Sequence, residues 1–293
     1  MQGFINLHKP QGLTSHDCVS RVRRLMGLKR VGHGGTLDPL ATGVLPIALG
    51  TATRLLPYLP QQKAYQATIR FGLTTTTDDL AGEVVTEVEA HQLTQEAVGQ
   101  ALLNFMGHIQ QRPPAYSAIQ VQGQRLYDLA RQGQVVEAPL RSVEVMDIQI
   151  LDWRSHPPQP PEVVVAIACG PGTYIRSIAR DLGVQLGTGA TLAQLSRTLS
   201  CGMALANSLT FTTLEDQLQQ GTFVPIAPSL ILPQPMLRLA PLEAKRFCWG
   251  QKLPQAEATT EIVQIWDQRD CCLGIGQIEA GLLKPKVVLI SNA

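Results

Sequence analysis

The 293 residues carry 24 Lys+Arg against 23 Asp+Glu, a formal net charge of +1, and 44% of them are hydrophobic. A near-neutral chain with this apolar content buries an ordinary core, which excludes disorder as its main state. The longest apolar runs, such as Val44–Leu49, fall far short of the ~20 residues that span a bilayer, and the N-terminus lacks the basic-then-apolar layout of a signal peptide. A soluble cytoplasmic protein with no membrane contact is expected. Six scattered cysteines without a Cys-x-x-Cys pair read as reduced thiols, and six histidines with no i, i+4 pair offer no metal site. Charge is unevenly spread: residues 1–54 sum to +5 and the remainder to −4, which suggests a polyanionic partner on one face.

In chain order, Phe4–Leu7 reads as a short strand. Thr14 or Ser15 then caps a helix with Val19, Val22, Leu25 and Met26 at helical spacing, Arg21 and Arg24 off that stripe, and Gly27 as its stop. Residues 27–43 form a Gly-rich loop before the buried strand Val44–Leu49. Lys63–Leu73 is a strand, and Thr94 caps a helix burying Val98, Ala101, Leu102, Phe105 and Met106. Ser117–Val121, a turn at Gln122-Gly123 and a helix over Arg125–Arg131 follow. Val143–Ile150 and Val163–Cys169 read as strands joined through the Pro-rich stretch His156–Pro161. A helix with Thr173 as its cap comes next. Strands and helices do not alternate regularly, so the expected class is α+β on a mainly antiparallel mixed sheet.

Near Pro225 the composition shifts, and Pro228, Pro233 and Pro235 around Ile231-Leu232 suggest a linker. The expected domains are therefore 1–232 and 233–293. The second is a small β-rich module with a helix over Pro241–Trp249 and strands at Ile262–Trp266, Cys272–Ile278 and Val287–Ile290.

Two segments stand out chemically. Gly32-His33-Gly34-Gly35-Thr36-Leu37-Asp38-Pro39-Leu40-Ala41-Thr42-Gly43 places one carboxylate and one histidine in a loop where glycines permit close approach of a ligand. Asp38 is open between two readings, an Asp-Pro turn and a catalytic acid. Gly170–Gly183 runs from a strand end into a helix start carrying Tyr174 and Arg176, where the dipole favours anions.

Taken with Asn6-Leu7-His8-Lys9-Pro10-Gln11-Gly12-Leu13-Thr14-Ser15-His16-Asp17 and Lys63-Ala64-Tyr65, these segments closely resemble the bacterial TruB-type tRNA pseudouridine synthases, in order over residues 3–230. The last 58 residues are similar, more loosely, to the PUA-like RNA-binding module of that family. The resemblance implies isomerisation of uridine 55 in the tRNA T loop to pseudouridine, with no cofactor and by a monomer. It makes Asp38 the aspartate nucleophile, Tyr65 the tyrosine that stacks on a flipped-out base, and Arg176 the arginine that pairs with the catalytic carboxylate. His33 would hold the target nucleotide, Leu195 would wall the uracil pocket, and Lys9 and Tyr174 would lie beside it. Arg21, Arg24, Lys29 and Arg30 would contact phosphates.

One departure concerns the loop Thr75-Thr76-Thr77-Asp78-Asp79-Leu80-Ala81-Gly82. Thr76 stands where the family's first aspartate is usual, while Asp79 keeps the second, which can share Arg176. The alternatives are a synthase for another RNA and a non-catalytic RNA-binding or tRNA-folding protein. Against the last stands the intact set Asp38, Tyr65 and Arg176.

Overall fold

The computed structural model describes residues 1–117, 119–121, 124–126, 138–255 and 261–289. Its elements begin with β1 (Gly3–Lys9), α1 (Ser15–Met26), β2 (Val31–His33), β3 (Thr42–Leu49), β4 (Lys63–Phe71), β5 (Leu73–Thr75), β6 (Val84–Glu87) and α2 (Gln95–Leu102). There follow β7 (Gly107–Gln111), β8 (Gln120–Val121), β9 (Gln124–Arg125), β10 (Arg141–Arg154), β11 (Glu162–Cys169), α3 (Ile175–Gln185) and β12 (Ala190–Ser200). Last come β13 (Met203–Ala204), α4 (Phe211–Gln219), β14 (Met236–Arg238), α5 (Pro241–Cys248), β15 (Leu253–Pro254), β16 (Glu261–Trp266), β17 (Cys272–Glu279) and β18 (Leu282–Val288). The expected turn at Gln122-Gly123, the body of the helix after Arg125 and Ile290 lie outside the described residues. Among the described residues no helix is long and apolar enough to cross a membrane.

The chain forms two compact units. One joins Met1–Pro39, Gly43–Pro60 and the chain from Ser200 on; the other joins Leu40–Thr42 and Gln61–Leu199. In the first unit β1 pairs antiparallel with β3 from Gly3↔Leu49 to Lys9↔Gly43, and β2 pairs antiparallel with β3 at its far end. Alternation sorts the side chains by face. Ile5, Leu7, Leu45, Ile47 and Leu49 meet Cys18, Val19 and Val22 of α1 and Phe211 and Leu214 of α4. Phe4, Val44 and Ala48 face the other way, so β3 is covered on both sides, which is why its sequence is apolar without alternation. α1 is capped as the residues foretell: Thr14 accepts from Asp17 N–H at 3.0 Å and Asp17 accepts from Thr14 N–H at 2.9 Å. The Thr14 hydroxyl and N–H hold the Asp17 carboxyl below its ordinary range. Gly27 ends the helix at φ 61°, a left-handed cap that costs glycine nothing.

A second sheet in the same unit runs β14-β16-β17-β18-β15, with β14 parallel to β16 and the remaining pairs antiparallel. One face carries α5 through Ala244, Phe247 and Cys248 over Val263, Ile265 and Leu283. The other contributes Trp266, Cys272, Ile275, Val287 and Leu289 to the cluster of Phe4, Val44, Ala48, Ala52, Leu55 and Leu59. The expected linker is packed into that seam. Leu232 is buried within it, Gln264 Nε2 donates to Leu232 O at 3.0 Å and Gln234 O at 2.8 Å, and Gln234 Nε2 donates to Tyr58 O at 2.8 Å.

In the second unit neighbouring strands follow the order β12-β4-β11-β10-β7. β4 and β10 both run antiparallel to β11, and β7 runs antiparallel to β10. α2 packs on β10 and α3 on β4. α3 approaches the start of β12 so closely that a Cβ on Gly183 would stand 2.1 Å from Ala190 N. Met106 does not join the buried face expected of it and is 39% exposed. α2 stops at Leu102, a 3₁₀ turn over Leu103–Phe105 tightens the chain, and Met106 is extended, so the 3.6-residue spacing no longer holds there. The class read from the sequence, α+β with a β-rich C-terminal part, is what the chain adopts.

Candidate active site

Within the first unit, Asp38 sits half-buried between two tethered neighbours. Ser15 Oγ accepts from Leu37 N–H at 2.8 Å and donates to Leu37 O at 3.2 Å. Pro39 O accepts from Gly12 N–H at 2.8 Å and from Lys9 Nζ at 3.4 Å. Lys9 is 0% exposed and also donates to Pro10 O at 2.9 Å, so its ammonium ties the start of the β1–α1 turn to the loop that carries Asp38. His33 Nδ1 accepts from Gly35 N–H at 3.3 Å, and Gly34 N–H donates to Pro46 O at 2.8 Å. The Gly-rich loop is thus anchored to β3 while Asp38 is anchored to the motif that follows β1.

The four residues expected at phosphates divide. Arg24, Lys29 and Arg30 are exposed. Arg21 is engaged within the fold: it pairs with Glu215 at 2.7 Å and lies 4.2 Å over the Phe211 ring. Helical spacing placed Arg21 on the outer face, but it says nothing of α4, which arrives from far along the chain.

Within the second unit, Tyr65 is buried on β4 opposite Ile167 of β11. Arg176 is 4% exposed; Nη1 donates to Thr77 O at 3.0 Å, Nη2 to Tyr116 O at 2.9 Å, and Nε lies 3.8 Å from Asp79 Oδ2. Asp79 Oδ1 accepts in turn from Thr77 Oγ1 at 2.6 Å and Ala81 N–H at 3.0 Å. Asp79 and Arg176 therefore form one buried pair. Tyr174, and not the expected Thr173, is the N-cap of α3, and Gln111 fixes it by accepting from Tyr174 N–H at 2.8 Å and donating to Tyr174 O at 3.0 Å. Thr173 Oγ1 instead donates back to Gly170 O at 3.2 Å, which takes its hydroxyl away from the cap. Leu195 is buried on β12, and its carbonyl accepts from Thr42 Oγ1 at 3.5 Å. Among the described residues no group of His, Cys, Asp or Glu could hold a metal ion.

Residues 23–175 match the model of the TruB family pseudouridylate synthase N-terminal domain, and residues 235–289 that of the pseudouridine synthase II TruB C-terminal region. The chain belongs to the TruB family of pseudouridine synthases. It is 70% identical over 289 residues, 99% of each chain, to a protein of Acaryochloris marina named tRNA pseudouridine synthase B. Proteins of the same name in Nostoc sp. and Synechocystis sp. are 55% and 51% identical, with 98% or more of each chain covered. Among solved structures, a chain from a Cbf5-Nop10-Gar1 complex superposes with a TM-score of 0.72 over 98% of this chain and 85% of that one, at 24% identity, a likeness of fold.

Two partners in this TruB-family chain escaped the sequence reading although the signal was there. Arg180 follows Arg176 by four residues on α3, and two aspartates stand side by side at 78–79. Arg180 Nη1 pairs with Asp78 at 2.9 Å and Nη2 donates to Arg112 O at 2.8 Å. Burial pushes the Asp78 carboxyl up, with Arg180 opposing it. Gln111 gave no signal, since its partner Tyr174 is 63 residues away.

The fork of Arg176 makes a direct prediction. Arg176→Lys keeps a charge but cannot reach both Thr77 O and Tyr116 O, so urea unfolding should lose about 1–3 kcal/mol. A loss within the error of the melt would mean the fork does not hold the 77–79 loop.

Proposed function

We propose that this chain isomerises uridine 55 in the T loop of tRNA to pseudouridine, with Asp38 as nucleophile. The observation that carries the reading is full-length identity of 50–70% to relatives named tRNA pseudouridine synthase B. In the reaction the N1–C1′ bond breaks, the base turns while held, a C5–C1′ bond forms, C5 gives up its proton and N1 gains one. As nucleophile the Asp38 carboxylate bonds either to ribose C1′, displacing uracil through N1, or to uracil C6, and in both cases that bond breaks again once C5 is joined to C1′, so the carboxylate is regenerated. Tyr65 stacks on the flipped uracil and moves a proton, and Arg176 serves as the partner of the reacting carboxylate. Lys9, His33, Asp79, Tyr174 and Leu195 shape the site that receives the nucleotide. Flipping the base costs a few kcal/mol of stacking, offset by phosphate contacts at Arg24, Lys29 and Arg30, with Arg21 the least available of the four.

Residues 1–232 carry catalysis and 233–293 grip tRNA beyond the T arm, in a monomer that works in the cytoplasm. The last 58 residues carry a net charge of +1, which suits contacts of shape with a few phosphates more than an electrostatic clamp. If the T arm holds the recognised shape, an isolated T-arm stem-loop is converted to completion at its uridine 55. A stem-loop that stays unmodified under conditions where whole tRNA is converted would place recognition elsewhere.

A further inference from the structure

The motif Thr14-Ser15 supplies more than a helix cap. Thr14 performs the capping of α1, and Ser15, first residue of the helix and 3% exposed, turns its hydroxyl elsewhere. That hydroxyl accepts from Leu37 N–H and donates to Leu37 O, at 2.8 and 3.2 Å, so both polar groups of the residue before Asp38 end on one oxygen. Leu37 is itself buried, at 4% exposure. On the far side of Asp38, Pro39 O is held by Gly12 and Lys9, and the proline restricts the backbone of Asp38 to extended conformations. The short stretch from Lys9 to Ser15 thereby clamps the chain before and after Asp38, leaving that carboxylate little beyond its own side-chain torsions to settle.

We propose that Ser15 is a positioning residue for Asp38, setting the direction of its carboxylate through the main chain of Leu37. The inference rests on the reading of Asp38 as nucleophile. A reacting group displaced by ~1 Å loses on the order of 10²-fold in rate, and Ser15 is the tether that can be cut without changing charge or a backbone group.

The test uses the full chain, unmodified tRNA transcript and enzyme in saturating excess, and reads the single-turnover rate, the tRNA Kd and the melting temperature. Ser15→Ala should slow the saturated rate by about 10–100-fold with tRNA Kd held within roughly twofold. Ser15→Thr, which keeps the hydroxyl, should recover most of that rate. Val22→Ala, a fully buried position on the same helix, should melt lower and yet turn over at the wild-type rate. A wild-type rate for Ser15→Ala beside an inactive Asp38→Asn would overturn the proposal and leave the nucleophile reading standing. A rate that falls in Val22→Ala in step with its melting temperature, or a Ser15→Thr that melts normally without recovering rate, would also overturn it, by showing a general loosening of α1. Activity retained in Asp38→Asn would instead remove the nucleophile reading itself.

Discussion

Asp38→Asn should lower pseudouridine formation by several orders of magnitude while tRNA binding survives. Asparagine keeps the size and planarity of the side chain but removes the negative charge and with it the nucleophile, so the loss falls on a step made only in the transition state. The backbone on either side is secured through Ser15, Gly12 and Lys9, and these tethers persist when a carboxylate becomes an amide. The measurement is a single-turnover rate at saturating enzyme, together with tRNA affinity. Retention of a tenth of the wild-type rate would exclude a covalent role for Asp38.

Deleting residues 236–293 should unfold or severely destabilise the first unit. A linker of prolines invites the opposite expectation, a catalytic part that survives the cut. Trp266, Cys272, Ile275, Val287 and Leu289, however, pack in one cluster with Phe4, Val44, Ala48, Leu55 and Leu59. Burial of each large apolar side chain is worth about 1.5–3 kcal/mol, so losing this face removes an amount comparable with the 5–15 kcal/mol that holds an average domain folded. Hydrogen bonds from Gln264 to Leu232 and Gln234 go with it. A thermal melt of the truncated chain checks this: a large fall in melting temperature or insolubility is expected. A transition close to that of the full chain would mean that the cluster contributes little. Single-residue removal offers a graded version, since Ile275→Ala leaves the strands intact and opens a cavity in the same seam, at about 2–5 kcal/mol.

These cases show where a sequence speaks and where it stays silent. Local rules were legible: Thr14 and Gly27 bracket α1, and the unbroken apolar run of β3 announces a strand buried on both faces. The Gly-rich loop around Asp38 stood out as well, because glycines around one carboxylate are a local pattern, though that pattern alone left an Asp-Pro turn and a catalytic acid both open. Contacts between distant segments were not. Nothing in the spacing of Arg21 foretells Glu215, and nothing in Gln111 foretells Tyr174. Leu232 reads as linker because its neighbours are prolines, whereas its burial depends on strands that come later in the chain. The burial of Lys9 was not legible either, since its ammonium donates to the carbonyls of Pro10 and of Pro39, the second of them in a loop that comes later in the chain.

The central claim, that this chain converts one tRNA uridine by an Asp38-dependent isomerisation, meets its most direct test in nucleotide-resolution mapping. An unmodified tRNA transcript is incubated with the purified full chain, with the Asp38→Asn variant run in parallel, and every uridine is scored for pseudouridine. The account predicts one pseudouridine, at position 55, with the wild-type chain, and none with the variant. Pseudouridine at another position with uridine 55 intact, or equal conversion by the variant, would contradict it.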